Sequence, residues 1–119
     1  SRNNIADKYS EALQEIVKVP EVLQNTTSVW AQYSIRLPKA IVREALMSEL
    51  KELGIPTMVY YIKPLHLQKA YQHYPVAGEK GLSITEELSD RVLSLPMHPY
   101  LSSSEQEYII QKILNLLKL

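Results

Sequence analysis

The residues best placed to do chemistry lie in one short segment. Two adjacent tyrosines, Tyr60 and Tyr61, are followed by Pro64 and then by His66. Neighbouring residues of a strand point to opposite sides, so one tyrosine can pack in the core while the other points into a cleft. A phenol can donate and accept hydrogen bonds, and an imidazole can also carry charge near neutral pH. From its chemistry alone the segment favours two core-edge tyrosines and a capping histidine, and the edge of a polar cleft is the alternative.

No other residues form a pattern typical of catalysis or metal binding. The three histidines, His66, His73 and His98, are 7 and 25 residues apart, and no Asp or Glu accompanies them at ligand spacing. The chain has no cysteine, which excludes disulfides, thiolate ligands and cysteine nucleophiles. No serine lies in a G-x-S-x-G motif, and the lysines lie on polar faces. We therefore predict no metal site and no catalytic residue within this chain.

Composition and charge exclude several classes of function. Thirteen Lys and Arg balance thirteen Asp and Glu, so bulk electrostatics favours neither nucleic acid nor an anionic membrane. No apolar run approaches the roughly 20 residues of a membrane helix. A length of 119 residues with 45% hydrophobic residues predicts a single domain, residues 1–119, with a core that needs no disulfides. Because the chain starts at Ser1 and not at Met, we expect it to be a piece of a longer protein. We also expect that longer protein to be cytoplasmic.

Apolar residues at spacings of three and four predict three helices. They cover residues 4–17, 39–53 and 104–117. Gly54 follows the second helix as a left-handed cap, and Ile55 can fold back onto Leu50. The last helix is predicted to begin with a capping box that starts at Ser103 or Ser104. Between the second and third helices we expect only a short helix near residues 67–71, a loop over 72–83 and a turn that ends at Leu88.

Three strands are predicted, over residues 29–37, 57–62 and 91–95, and the first shows the clearest alternation of apolar and polar residues. The core face of the first strand is predicted to hold Val29, Ala31, Tyr33, Ile35 and Leu37. Its opposite face, with Trp30, Gln32 and Arg36, is expected to stay partly exposed or to meet another domain. The third strand is almost wholly apolar, so we place it between the other two and antiparallel to both. The fold prediction is α/β (α+β), a three-stranded antiparallel sheet of the split β-α-β type flanked by helices.

Five pieces of the sequence, taken in order, are similar to motifs of a known family. RNNIADKYSEAL resembles a helix that leaves a large domain, WAQYSIRL resembles the first strand of a small domain, and EQEYIIQKI resembles its last helix. GIPTMVYYIKPLHLQKAY is similar to a segment with G-I-x-T, His-Tyr-Pro and P-L-H-x-Q, and SDRVLSLPMHPYL is similar to S-x-R-x-x-S-L-P-x-x-P. Nearly the whole chain thus resembles the C-terminal small domain of the DegT/StrS-type nucleotide-sugar aminotransferases.

The resemblance implies a fold-type I enzyme, a homodimer when full-length, that uses pyridoxal phosphate. An amino group, usually from glutamate, would pass to a keto group of a nucleotide-linked hexose. The amino sugars that result would be incorporated into polysaccharides, glycans or antibiotics. The Schiff-base lysine and the cofactor-binding groups belong to the family's large domain, which would precede Ser1. The resemblance therefore implies that this chain is inactive alone and supplies the substrate-side wall of the cleft. Some members of the family are labelled pleiotropic regulatory proteins.

The resemblance also implies site residues. The family's His-Tyr pair, which approaches the sugar nucleotide, corresponds to Tyr60 and Tyr61, and Ile62 replaces a frequent proline. A tyrosine at position 60 can still donate to a hydroxyl or phosphate, but it is not cationic near neutral pH. His66 falls at the P-L-H position and is expected at the edge of the active site or at a helix start. Arg36 is a candidate for contact with an anion or for an interface ion pair.

Two alternative functions stay open at this point. One is a stand-alone α/β domain that binds a small molecule or acts as a regulator. The other is RNA binding by strand aromatics such as Trp30, Tyr33, Tyr60 or Tyr61. A sheet that binds RNA needs surrounding basic charge, which the neutral balance does not supply. No basic recognition helix supports DNA binding either.

Overall fold

The computed structural model describes residues 1–78 and 81–118, and the predicted loop over residues 72–83 lies partly outside them. Within this part of the chain, helices surround a small sheet. The helices are α1 (Arg2–Leu13), α2 (Arg43–Glu52), α3 (Ser83–Arg91) and α4 (Ser103–Leu117), with a short 3₁₀ helix at Leu65–Leu67, and the strands are β1 (Tyr33–Arg36) and β2 (Val92–Leu95). This α+β architecture agrees with the predicted class. No helix among the described residues has the length and apolar character needed to cross a membrane.

The sheet has two strands in the described chain, so the predicted three-stranded sheet is not confirmed. β1 pairs antiparallel with β2, with Tyr33 opposite Leu95. Residues 57–62 do not form a strand, because only Met58 pairs with the sheet, by two backbone hydrogen bonds to Ser94 of 3.1 and 2.9 Å. Beyond Met58 the chain bends away from the sheet, and the side chains of Tyr60, Tyr61 and Ile62 stay exposed. β2 still lies between β1 and Met58, which is the order predicted for the third strand.

β1 is shorter than predicted because the chain is not extended before Tyr33. Trp30 has a φ of 50°, in the left-handed region that interrupts a strand. Val29 is 80% exposed and Ala31 is also exposed, so their placement in the core was wrong. The Trp30 ring lies 5.6 Å from that of Tyr33, on the core side and not on the predicted polar face. The prediction holds for the later core-face residues, which are all buried: Tyr33, Ile35 and Leu37.

The three predicted helices are present, but several of their predicted boundaries were wrong. α1 ends at Leu13, before the predicted end at residue 17, and α2 begins only at Arg43. α3 is a full helix where only a turn was predicted. It buries no residue, and an ion pair between Glu87 and Arg91, one turn apart, supports it locally.

The ends of α2 and α4 show which local signals were reliable. Gly54 has a φ of 80°, and the Ile55 N–H donates to the Leu50 carbonyl at 2.8 Å, as the cap prediction required. The capping box of α4 exists, but it starts at Ser102. The Ser102 Oγ accepts from the Glu105 N–H at 3.1 Å, and the Glu105 carboxylate accepts from the Ser102 N–H at 2.8 Å. Because residues 102–104 are all serines, the sequence alone does not determine which of them starts the capping box.

The core lies between α1, α2, α4 and the sheet, and three of its polar side chains have hydrogen-bond partners. The Gln106 side chain donates to the Ile5 carbonyl at 2.7 Å, which joins α4 to α1. The Tyr9 hydroxyl donates to the Pro96 carbonyl at 2.8 Å, and the Tyr33 hydroxyl lies 2.8 Å from the Ser10 hydroxyl. Because the Tyr9 hydroxyl is paired with the Pro96 carbonyl, this core holds the start of the segment after β2 in place.

Candidate functional site

The turn after α2 places the tyrosine pair next to the sheet. Gly54 and Pro56 end the helix, and the next residues run to Met58, which pairs with the centre of β2 at Ser94. Tyr60 follows two residues later and is 51% exposed. The position of Tyr60 therefore depends on one helix cap and one backbone bridge, and not on a full strand.

Tyr60 lines a cleft of about 170 Å³ at the edge of the sheet. Four polar side chains border it, from Gln32, Thr57, Tyr60 and Ser94, together with apolar groups that include Met58. The hydroxyl of Ser94 is 2.7 Å from that of Ser34, so the side chain of Ser94 is already held in place.

The chemistry of this cleft is that of neutral hydrogen bonding. Its lining residues in the described chain include no Asp, Glu, Lys, Arg or His. The cleft therefore offers hydroxyl and amide groups to a polar, uncharged ligand group such as a sugar hydroxyl. It does not offer charge neutralisation or a general base.

Tyr61 does not share this cleft. Its side chain is 79% exposed, and it does not line the cleft of Tyr60. Val59 packs against the core. Tyr61, two residues further on, lies where the chain has bent away from the sheet. Of the two tyrosines, Tyr60 therefore lines the cleft at the sheet edge, and Tyr61 does not.

His66 packs against α3, at a different place. It lies in the 3₁₀ helix, its side chain is 14% exposed, and its Nε2 is 3.4 Å from a carboxylate oxygen of Glu86. The geometry of this contact is not that of a hydrogen bond, so Nε2 has no hydrogen-bond partner among the described residues. His66 borders a mainly apolar cavity of about 430 Å³ that also includes Tyr71 and Tyr74.

Arg36 lies at the end of β1, in a third location. It borders a cleft of about 290 Å³ formed with the residues that follow α1. Its Nε is buried and has no hydrogen-bond partner among the described residues. The structure thus distributes the four predicted site residues: Tyr60, His66 and Arg36 border three separate clefts, and Tyr61 faces solvent.

Sequence reasoning missed the polar residues that share the cleft with Tyr60. Thr57 and Ser94 belong to the G-I-x-T and S-L-P pieces, whose similarity to the family motifs was the available signal. Gln32 was placed on the polar face of β1 but was not assigned to a site. No periodicity joins these three residues, because they come from separate segments that meet only at the sheet edge.

The described residues do not fit a site for a covalently bound aldehyde cofactor. Such a site needs a sheltered lysine, and every described lysine is exposed or half-buried. The half-buried Lys8 pairs with Glu107 at 3.0 Å, and Lys112 lies over the ring of Tyr108. In the same part of the chain, no three His, Asp or Glu residues come together as metal ligands.

Comparison with known proteins gives consistent matches along the chain. The DegT/DnrJ/EryC1/StrS aminotransferase family matches residues 1–114. A pleiotropic regulatory protein of Geobacillus stearothermophilus is 41% identical over 103 residues, which are 87% of this chain and 27% of that protein. The UDP-2-acetamido-2-deoxy-3-oxo-D-glucuronate aminotransferase of Pseudomonas aeruginosa is 35% identical over 96% of this chain and 30% of its own length.

Structural comparison gives the same result. The crystal structure of a DegT DnrJ EryC1 StrS aminotransferase from Brucella abortus is 49% identical, with a TM-score of 0.90 over 99% of this chain and 31% of that one. The chain thus spans about 30% of the length of the proteins that it matches. Since the family match covers nearly every residue and the fold agrees, this chain belongs to the DegT/DnrJ/EryC1/StrS aminotransferase family.

Proposed function

We propose that this chain is the C-terminal small domain of a nucleotide-sugar aminotransferase and forms the substrate-side wall of its active-site cleft. The observation that supports the proposal is the family match over residues 1–114. In addition, the match to the Pseudomonas enzyme covers only 30% of the length of that enzyme. In this proposal residues 1–119 are one domain, and a large domain precedes them. The complete enzyme acts as a homodimer.

The proposed reaction moves an amino group, with glutamate as the donor, to a keto group of a nucleotide-linked hexose. Pyridoxal phosphate, bound by the large domain, supplies the electron sink for this chemistry. The absence of a sheltered lysine among the described residues supports a division of labour in which this chain binds and orients the substrate. The sugar and the position of its keto group are not part of the proposal.

Within that division, Tyr60 contacts the hexose. Its cleft has neutral polar groups from Gln32, Thr57 and Ser94 and no charged lining residue in the described chain, which suits sugar hydroxyls better than phosphates. Further substrate contacts by Tyr61, His66 and Arg36 remain predictions. The exposure of Tyr61 and the separate clefts of His66 and Arg36 place these three residues second to Tyr60.

The test is Tyr60→Phe in the full-length enzyme. Loss of one neutral hydrogen bond of about 0.5–1.5 kcal/mol predicts a fall in kcat/KM for the keto sugar of roughly three- to tenfold. The glutamate half-reaction should keep its rate, since the contact serves the sugar nucleotide. Tyr100→Phe is the matched control, because Tyr100 is 88% exposed and does not line the Tyr60 cleft.

Stopped-flow measurement of the two half-reactions separates the outcomes. A slower sugar half-reaction with an unchanged glutamate half-reaction supports the assignment. Equal impairment of both half-reactions, or of neither, would show that Tyr60 does not serve the sugar side. A full-length protein without any aminotransferase activity would overturn the proposed reaction itself.

A regulatory role is the second candidate, because the Geobacillus relative is described as a pleiotropic regulatory protein. That relative is also much longer than this chain, so it does not favour a stand-alone domain. The reading frame that encodes the residues before Ser1 distinguishes the two functions. An upstream domain with a Schiff-base lysine supports the enzyme, and a different upstream domain supports the regulator.

A further inference from the structure

Arg36 differs from its neighbouring arginines in the pairing of its side chain. Arg43 is 5% exposed and donates to two backbone carbonyls. Arg91 donates to the Leu37 carbonyl at 2.8 Å and forms an ion pair with Glu87. The buried Nε of Arg36 has no hydrogen-bond partner among the described residues, and Arg36 forms no ion pair with them. A buried cationic donor without a partner is unfavourable, so such groups are normally paired.

The cleft beside Arg36 has room for a partner. It measures about 290 Å³, and one wall consists of residues 14–18, which follow α1. Arg36 and Pro38 form the other wall, with Arg91 at the edge. Backbone hydrogen bonds between Lys18 and Arg36, of 3.2 and 3.0 Å, fix the two walls relative to each other. Main-chain pairing therefore holds the two sides of the opening together.

The charges around the cleft favour an anion. Three cations border it, from Lys18, Arg36 and Arg91, against one carboxylate, Glu15. Lys18 is paired with Glu21 at 2.5 Å, and Arg91 has its own carboxylate, so Arg36 is the cation in this cleft whose charge is not matched within the described chain. Glu15 is exposed and lies beyond ion-pair distance of Arg36.

We propose that this cleft binds an oxyanion, a phosphate or a carboxylate group, through the guanidinium of Arg36. A planar guanidinium can hold either group with two parallel hydrogen bonds. The oxyanion comes from a free ligand or from a carboxylate elsewhere in the longer protein, and both sources share this chemistry. The inference depends on the contacts of this chain alone and not on the proposed aminotransferase reaction.

The first test is a titration of the 119-residue chain with inorganic phosphate at constant ionic strength, followed by ¹H–¹⁵N NMR. We expect saturable shifts of the Arg36 Nε–Hε signal and of the backbone amides of Val17 and Lys18. Arg36→Gln should weaken phosphate binding roughly tenfold or more, while Lys69→Gln, which removes an exposed charge from another region, should leave it unchanged. Glu15→Gln should tighten binding severalfold because it removes the opposing carboxylate.

The dispersion of the amide signals shows whether each variant is folded, and Arg36→Lys provides a second variant that keeps the charge but loses the planar fork. Intermediate binding by Arg36→Lys supports the proposal. Phosphate shifts that do not saturate, or equal affinity in the wild type and Arg36→Gln, would overturn it.

The same titration in the full-length protein separates the two sources of the oxyanion. If a free ligand occupies the cleft, phosphate still shifts the backbone amide signals of Val17 and Lys18, and Arg36→Gln abolishes these shifts without lowering Tm. If a carboxylate of the protein occupies it, phosphate no longer binds there, and Arg36→Gln lowers Tm more than Lys69→Gln does. An Arg36→Gln variant that changes neither phosphate binding nor Tm would refute both.

Discussion

Two regions of this molecule are rich in tyrosine and large apolar residues, and the fold treats them in opposite ways. Between α1, α4 and the sheet, Tyr9 and Tyr33 are fully buried, and their hydroxyls reach Pro96 and Ser10. In the segment after Met58, the side chains of Tyr60, Tyr61, Ile62 and Leu65 are half or more exposed. The difference shows that burial depends on a second packing layer and on a partner for each hydroxyl, and not on side-chain type.

The exposed segment also lies next to the candidate cleft. Its large exposed side chains are Met58, Tyr60, Tyr61, Ile62 and Leu65. A cluster of exposed apolar groups beside a polar cleft is typical of a surface that meets a ligand or another domain. The core thus holds this chain together, and the segment contributes surface for contact. The following predictions test that contrast, beginning with the largest effect.

Leu13→Ala should have the largest effect on stability. Leu13 is fully buried at the end of α1, and removal of such a side chain from a core costs about 2–5 kcal/mol. Urea denaturation followed by circular dichroism gives the free energy of unfolding. A cost below about 1 kcal/mol would mean that this core can collapse around the cavity and is looser than its burial indicates.

Ser102→Ala should lower the free energy of unfolding by about 0.5–2 kcal/mol, because it removes the hydroxyl that caps α4. Ser104→Ala is the comparison and should cost less, since the Ser104 hydroxyl lies 3.2 Å from that of Ser102 but does not cap the backbone of α4. Equal costs for the two variants would contradict the observed register of the capping box.

The same capping box predicts a dependence on acid pH. The Ser102 backbone N–H, and then its side chain, hold the pKa of Glu105 below its ordinary value. A carboxyl with a lowered pKa in the folded state adds stability above its ordinary pKa, and this stability is lost as pH falls through the lowered value. Glu105→Gln should therefore lose less stability on acidification than the wild type, as measured by urea denaturation at pH 7 and at about pH 3.

Tyr9→Phe should cost about 0.5–1.5 kcal/mol at neutral pH, because the Pro96 carbonyl loses its donor. Burial, and then the nearby Tyr33, raise the pKa of Tyr9 above its ordinary value near 10. Stability from a raised pKa is present below the ordinary value and is lost as pH rises above it. The wild type should thus lose more stability than Tyr9→Phe between about pH 8 and about pH 11. Equal losses would mean that Tyr9 ionises as freely in the folded chain as in the unfolded chain.

Tyr61→Ala should have the smallest effect, within about 0.5 kcal/mol of the wild type, because Tyr61 is largely exposed. Urea denaturation of this chain gives the value. A cost of about 2 kcal/mol or more would show that the segment packs against the core in solution, and the contrast between the two regions would not hold.

The sequence determined the features that depend on neighbouring residues. The Gly54 cap follows from the need for a positive φ at the end of α2, and the burial of Ile35 and Leu37 follows from the alternation of a strand. The similarity of five ordered motifs gave the family. It also singled out Tyr60, the predicted residue that now lines the neutral cleft.

Only the tertiary structure decided which segments pair and which side chains share a cleft. A strand pattern at residues 57–62 was a sound local prediction, yet only Met58 pairs with β2. The chain then bends away from the sheet and leaves the side chains of Tyr60, Tyr61 and Ile62 exposed. Gln32, Thr57 and Ser94 meet Tyr60 across the sheet edge, and Arg36 lies in a separate cleft. Local patterns contain no information on such distant contacts, since these contacts arise only when the whole chain has buried its core.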